Sequence, residues 1–251
     1  MAITVEEYKN PLMEHESIYF SSPPGWRVRR QLKKLLPPQI LDDFARPSPF
    51  EKLKQELRSF LSSIGVAQDC PLYSSEAGLL LSYYKPRKRG RSWHACIWFP
   101  TNTQPESPEE GKGFGLNPVV SLEQVSPAIR TRLPAVYQRL LGITNGVRKM
   151  VWPMEEGIRG GDQLNANAEE LDDFWLEATF QGSEEPAREY LRDALVVVND
   201  GFGNCYGLDK DDRVLMLEHE MQVVVKEVFP DLETLFRKYF ENMYYLLYDP
   251  Y

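Results

Sequence analysis

Residues 196–217 read VVVNDGFGNCYGLDKDDRVLML: two apolar runs, the first β-branched, around a middle crowded with glycine, aspartate and asparagine. β-Branched side chains suit a pleated, half-buried strand, whereas Gly, Asn and Asp tolerate the positive φ of tight turns. The stretch therefore predicts a strand, a tight loop, a short strand over 205–208, a second turn and a third strand, an antiparallel meander. Two chemical readings of the same residues fail on spacing. A dinucleotide fingerprint needs Gly-x-Gly-x-x-Gly opening a helix, but here Tyr206 stands in place of the third glycine and the chain runs on into a strand. A calcium loop needs carboxylates at its first, third and fifth positions and glycine at the sixth. Counted from Asp200 the third position is Phe202, and counted from Asp209 the fifth and sixth are Arg213 and Val214.

With 251 residues, the chain fits one large domain or two small ones. Residues 101–118, TNTQPESPEEGKGFGLNP, have linker composition and set the expected boundary. They would separate an N-terminal α+β region of unknown role, 1–105, from a second unit, 118–251. In the first region, 48–65 predicts a helix capped by Ser48, with Pro49 in its first turn and Gly65 as its stop. Leu53, Leu57, Phe60, Leu61 and Ile64 would form its core face. Residues 77–85 and 93–100 predict paired strands around a basic tip, and apolar residues on both faces of 93–100 mark an inner strand. In the second unit a helix is expected from Pro134, with Val136, Leu140 and Ile143 facing the core and Asn145-Gly146 ending it. Leu232, Leu235, Phe236, Tyr239, Phe240, Met243, Tyr244 and Leu247 recur at the spacing of an amphipathic closing helix.

A net charge of -8 and a pI near 5.1 argue against a dedicated nucleic-acid binder, whose footprint would be a basic face, so no direct nucleic-acid partner is expected. Three widely spaced cysteines offer neither a disulfide framework nor a zinc pattern, which points to a reducing cytoplasm. The N-terminus lacks a signal-peptide pattern, and no window approaches the roughly 18 apolar residues of a membrane span, so no membrane partner is expected. His219 and Glu220 start a His-Glu-x-x-His pattern that Val223 breaks. A Cys205–His219 dyad shows neither an activating base nor an oxyanion donor in sequence. The acidic pairs Glu155-Glu156, Glu169-Glu170 and Asp172-Asp173 read as solvated. No catalytic residue, metal or cofactor is assigned. One asymmetry stands out: residues 151–220 hold 18 acidic and five basic side chains.

Four pieces then fall in order: LPAVYQRLLGITNG, VWPMEE, VVVNDGFGNCYGLD, and VLMLEHE with the closing aromatic helix. Together they resemble the SUKH superfamily of bacterial immunity proteins and fungal cell-wall regulators, over roughly residues 118–245. The matching positions are Leu133, Pro134, Tyr137, Asn145, Gly146, Asp200, Gly201, Gly203, Asn204 and Tyr206. The resemblance implies an α+β fold, an antiparallel sheet flanked by helices, here with an additional N-terminal α+β region. It implies no common catalytic machinery. The partner it implies is a protein toxin, such as a nuclease or another enzyme with a basic cleft, which an acidic surface would block. Glu169, Glu170, Asp172, Asp173 and Trp175 are the expected contact patch. The alternative is an intracellular scaffold or regulatory interaction module. A third reading is an enzyme using Cys205 or the acidic pairs.

Overall fold

The structure, a computed structural model, describes residues 7–10, 15–84, 92–100, 113–117, 125–151, 154–161, 163, 164, 177–200, 203–218 and 220–241. Its strands are β1 (Glu7–Asn10), β2 (His15–Phe20), β3 (Gly78–Tyr84), β4 (Ser92–Pro100), β5 (Gly113–Leu116) and β6 (Val147–Val151). They continue as β7 (Met154–Ile158), β8 (Thr179–Phe180), β9 (Leu195–Asn199), β10 (Cys205–Leu208), β11 (Val214–Glu218) and β12 (Val223–Phe229). The helices are α1 (Trp26–Leu35), α2 (Pro38–Phe44), α3 (Glu51–Ser63), α4 (Pro127–Arg130), α5 (Ala135–Ile143), α6 (Arg188–Leu191) and α7 (Leu232–Glu241).

All twelve described strands belong to one sheet, ordered β1-β2-β3-β4-β5-β6-β7-β9-β10-β11-β12-β8. Every pairing is antiparallel except that of β8, which runs parallel to β12 at one edge. The architecture is therefore α+β, a mostly antiparallel sheet flanked by helices. The meander expected over 196–217 forms as β9, β10 and β11.

One core joins the two halves of the chain. Leu32 of α1, Phe44 of α2, Leu57 and Phe60 of α3, Tyr137 and Leu140 of α5 and Phe236 and Phe240 of α7 share it with sheet residues from Leu79 through Val225. Phe240 meets Phe60 edge-on, with ring centroids 6.4 Å apart, and lies 5.9 Å from Phe114 of β5. A second, smaller core covers the opposite face at the far end, where Leu215 and Leu217 pack with Ala178, Ala187 and Leu191. Alternation along β11 explains the unbroken apolar run: Val214 and Met216 face the large core, Leu215 and Leu217 the small one. On β9 a bulge leaves Val197 without a partner on β10 between Val196 and Val198, so two successive valines reach the large core.

The segment with linker composition contains a buried strand, β5, and the reason is close approach rather than flexibility. A Cβ on Gly113 would lie 2.4 Å from Trp98 Cζ2, and one on Gly115 would lie 2.9 Å from Cys96 Sγ. The glycines of GFGL are where side chains of β4 lie across the neighbouring strand. Helix α3 also starts later than expected. Its N-cap is Phe50 at φ 60°, not Ser48, because Phe50 is buried and stacked on Phe44 at 5.8 Å. Gly65, at φ 75°, ends that helix as expected. In α5 the buried face is Tyr137, Leu140 and Leu141, with Val136 and Ile143 at its margin, and Pro134 is the N-cap. Met243, Tyr244 and Leu247, the basic tip at 85–91 and the Glu155-Glu156 side chains lie outside the described residues.

Candidate functional site

The resembling positions build scaffold. Leu133 is buried, and the Pro134 carbonyl accepts from the amides of Tyr137 and Gln138 at 2.9 and 3.1 Å. The Tyr137 hydroxyl donates to the Arg159 carbonyl at 2.7 Å while its ring meets Phe236 edge-on at 5.3 Å. Complete burial holds that phenol protonated, far above its ordinary range, so the proton it donates to the Arg159 carbonyl stays in place. Asn145 Oδ1 accepts from the Gly161 amide at 2.7 Å. Gly146, at φ 92°, carries the chain past Gly160, whose amide nitrogen would be 2.8 Å from an added Cβ. Asp200 closes the loop after β9: its carboxylate accepts from the Asn204 amide at 3.0 Å and from Asn204 Nδ2 at 2.7 Å. Gly203 follows the same turn at φ 99°, and Tyr206 is buried against Phe229 with centroids 5.9 Å apart. Gly201 lies outside the described residues.

Cys205 sits beside this loop and donates to Asn199 Oδ1 at 3.3 Å, an oxygen that Arg159 Nη2 also approaches at 3.3 Å. Burial pushes its thiol up to about 11, so the thiolate that nucleophilic chemistry needs is scarce at neutral pH. His219, its imagined partner, lies outside the described residues.

Polar geometry is richest at the β8 edge. Both oxygens of Asp209, itself 1% exposed, are fully used. Oδ1 accepts from the amides of Asp211 and Arg213 at 2.8 and 2.9 Å. Oδ2 accepts from the Tyr190 hydroxyl at 2.7 Å and from Arg213 Nε at 2.9 Å. Burial alone would raise the Asp209 pKa, but these donors and the Arg213 charge hold it below the usual carboxylate range. Burial and the bond to Asp209 push the Tyr190 phenol well up. Arg213 spans the turn, pairing with Asp211 at 2.9 Å and with Glu227 of β12 at 3.2 Å. Lys226 places its ammonium 3.7 Å from the Phe180 ring centroid and 4.8 Å from that of Tyr190, rings that themselves meet edge-on. These contacts clamp β8 and α6 to β12 and to the 209–213 turn.

That clamp presents carboxylates outward. Glu184 and Glu185 follow β8, Glu189 lies on α6, and Asp211 and Asp212 form the turn; all five are exposed. Glu184, Glu185 and Asp212 form no ion pair among the described residues. Glu169, Glu170, Asp172, Asp173 and Trp175, the patch expected from sequence, fall in the chain between β7 and β8 but outside the described residues. The acidic edge was hidden in sequence because its members come from two separate segments, 184–189 and 211–212, joined through the Tyr190–Asp209 bond. The total acidic excess over 151–220 was its one visible signal.

Elsewhere an open groove of about 590 Å³ is lined by Arg58, Ser59, Ser62, Ser63, Gln68 and Tyr73 and contains no carboxylate. Among the described residues, no group of three or more His, Cys, Asp or Glu side chains is placed to hold a metal ion, and no helix is long and apolar enough to cross a membrane. Comparison with protein-family models, curated proteins and solved structures finds no match for this chain.

Proposed function

We propose that this chain is a non-catalytic protein-binding protein, an immunity protein that neutralises a bacterial toxin by direct contact. The observation that supports this reading most is the acidic edge: exposed carboxylates at 184, 185, 189, 211 and 212 on a clamped frame. A toxin acting on a polyanion carries a basic cleft, and a fixed negative surface is steered into such a cleft and occludes it. The segment with Glu169, Glu170, Asp172, Asp173 and Trp175 adds carboxylates and an aromatic anchor of the kind that dominates interface energy.

Affinity capture of the tagged protein at moderate salt, followed by mass spectrometry and a toxicity-rescue assay, tests the proposal. A stoichiometric partner carrying a toxin domain, with growth restored by co-expression, is the expected result. Several host proteins and no toxin would replace it with the scaffold reading. With a partner in hand, reversing Glu169, Glu170, Asp172 and Asp173 to Lys is expected to slow association roughly tenfold or more at low salt. The loss should shrink as salt rises. Unchanged affinity and salt dependence would remove that patch from the interface.

A further inference from the structure

Helix α1 reads WRVRRQLKKL: five cations, no acidic residue, and no side-chain N-cap. Arg27, Arg29, Arg30, Lys33 and Lys34 are all exposed. None forms an ion pair among the described residues. Lys33 and Lys34 lie in the last turn, where the helix dipole favours cations, but Arg27 and Arg29 lie in the first, where it opposes them. Trp26, at the same end, is 71% exposed with the Arg27 guanidinium 5.5 Å from its ring centroid. Among the described residues nothing compensates this cationic surface, and an open aromatic lies on it. Trp and Arg are the residues that most often anchor protein interfaces.

The apolar side of α1 is already spent, with Leu32 fully buried and Val28 and Leu35 packed on the core. A lipid surface would therefore gain only Trp26. The complementary surface in view is the chain's own: the acidic edge at β8, far along the strand order from β4, on which α1 packs. We propose that α1 is a docking surface for the acidic edge of a second copy of this chain, so that molecules associate head to tail. Such a contact joins two different surfaces and leaves one basic and one acidic face open at the ends, so assembly grows with concentration unless a ring closes. The proposal stands apart from the toxin reading, although a toxin on the acidic edge would compete with it.

The experiment is sedimentation velocity on the full chain at roughly 100 µM protein, at about 50 mM and about 500 mM salt. The wild type is expected to show concentration-dependent association at low salt that is lost at high salt. Arg27→Glu/Arg30→Glu and Glu184→Lys/Glu185→Lys should each be monomeric alone, because each removes one of the two faces. Mixed together they should associate again, since α1 of the second variant meets the intact acidic edge of the first and the two reversed faces are themselves complementary. Trp26→Ala should weaken association at least tenfold without abolishing its salt dependence. All four charge reversals are at exposed positions that form no ion pair among the described residues, and circular dichroism checks that each variant is folded. A wild type that stays monomeric at low salt overturns the proposal, as does association that survives both reversals or a mixture that fails to pair. A monomer that binds anionic vesicles or an oligonucleotide through α1 also overturns it and reassigns the helix.

Discussion

At Asp209 four donors meet one carboxylate, and that saturation decides what the residue can do. Every lone-pair direction is taken, so the group holds a turn and has no acceptor left for a metal or a substrate. Because its folded pKa lies below the unfolded value of about 3.9, the stabilisation is complete above that value and fades as pH falls through the folded one. Urea unfolding of the wild type should lose stability below about pH 4, and Asp209→Asn should flatten that part of the curve. Asp209→Ala at neutral pH is expected to cost about 2–4 kcal/mol, since it leaves the Tyr190 hydroxyl and two amides without their acceptor. Tyr137→Phe should cost about 1–2 kcal/mol by leaving the Arg159 carbonyl without its donor, with an unchanged m-value in the same titration. The sequence placed Asp200 and Asp209 in turns through local chemistry. It could not show that Tyr190, 19 residues away, would reach Asp209, because a tertiary hydrogen bond leaves no periodic trace.

Among the elements, legibility followed how much of the instruction was local. β3, β4, β9, β10, β11, α5 and α7 carry period-two or helical patterns with turn residues at their ends, and the sequence placed each of them. β5 was hidden because glycines read as linker until the partner strand supplies Trp98 and Cys96 to fill their space. The start of α3 was misplaced because a buried aromatic at positive φ overrides the expected Ser48 cap. Gly146→Ala tests the Asn-Gly stop after α5. The φ of 92° and the backbone contacts near 2.8 Å should make it cost about 2–4 kcal/mol in thermal or chemical unfolding. Leu191→Ala should cost a similar amount, about 2–4 kcal/mol, but act locally. Hydrogen exchange is expected to rise first in 178–191, because α6 and β8 are held by the small core and the Lys226 clamp.

For the whole molecule, the sheet and the large core run through both halves of the chain, so unfolding should register as one event. Tryptophan fluorescence, weighted to Trp26, Trp93 and Trp98, and far-UV circular dichroism are expected to give coincident urea transitions. Two separated transitions would show that the halves are energetically independent despite the shared core. The strand order also carries a kinetic meaning. From β1 to β7 and again from β9 to β12, each strand pairs with the one just made, so the sheet can grow in step with translation. Its centre cannot be finished that way. Phe236, Tyr239 and Phe240, which meet Tyr137, Phe114 and Phe60, arrive on α7 after every described strand has been synthesised. A nascent chain therefore passes through a stage with every described strand made and an aromatic bed uncovered, the interval in which a chaperone would matter most.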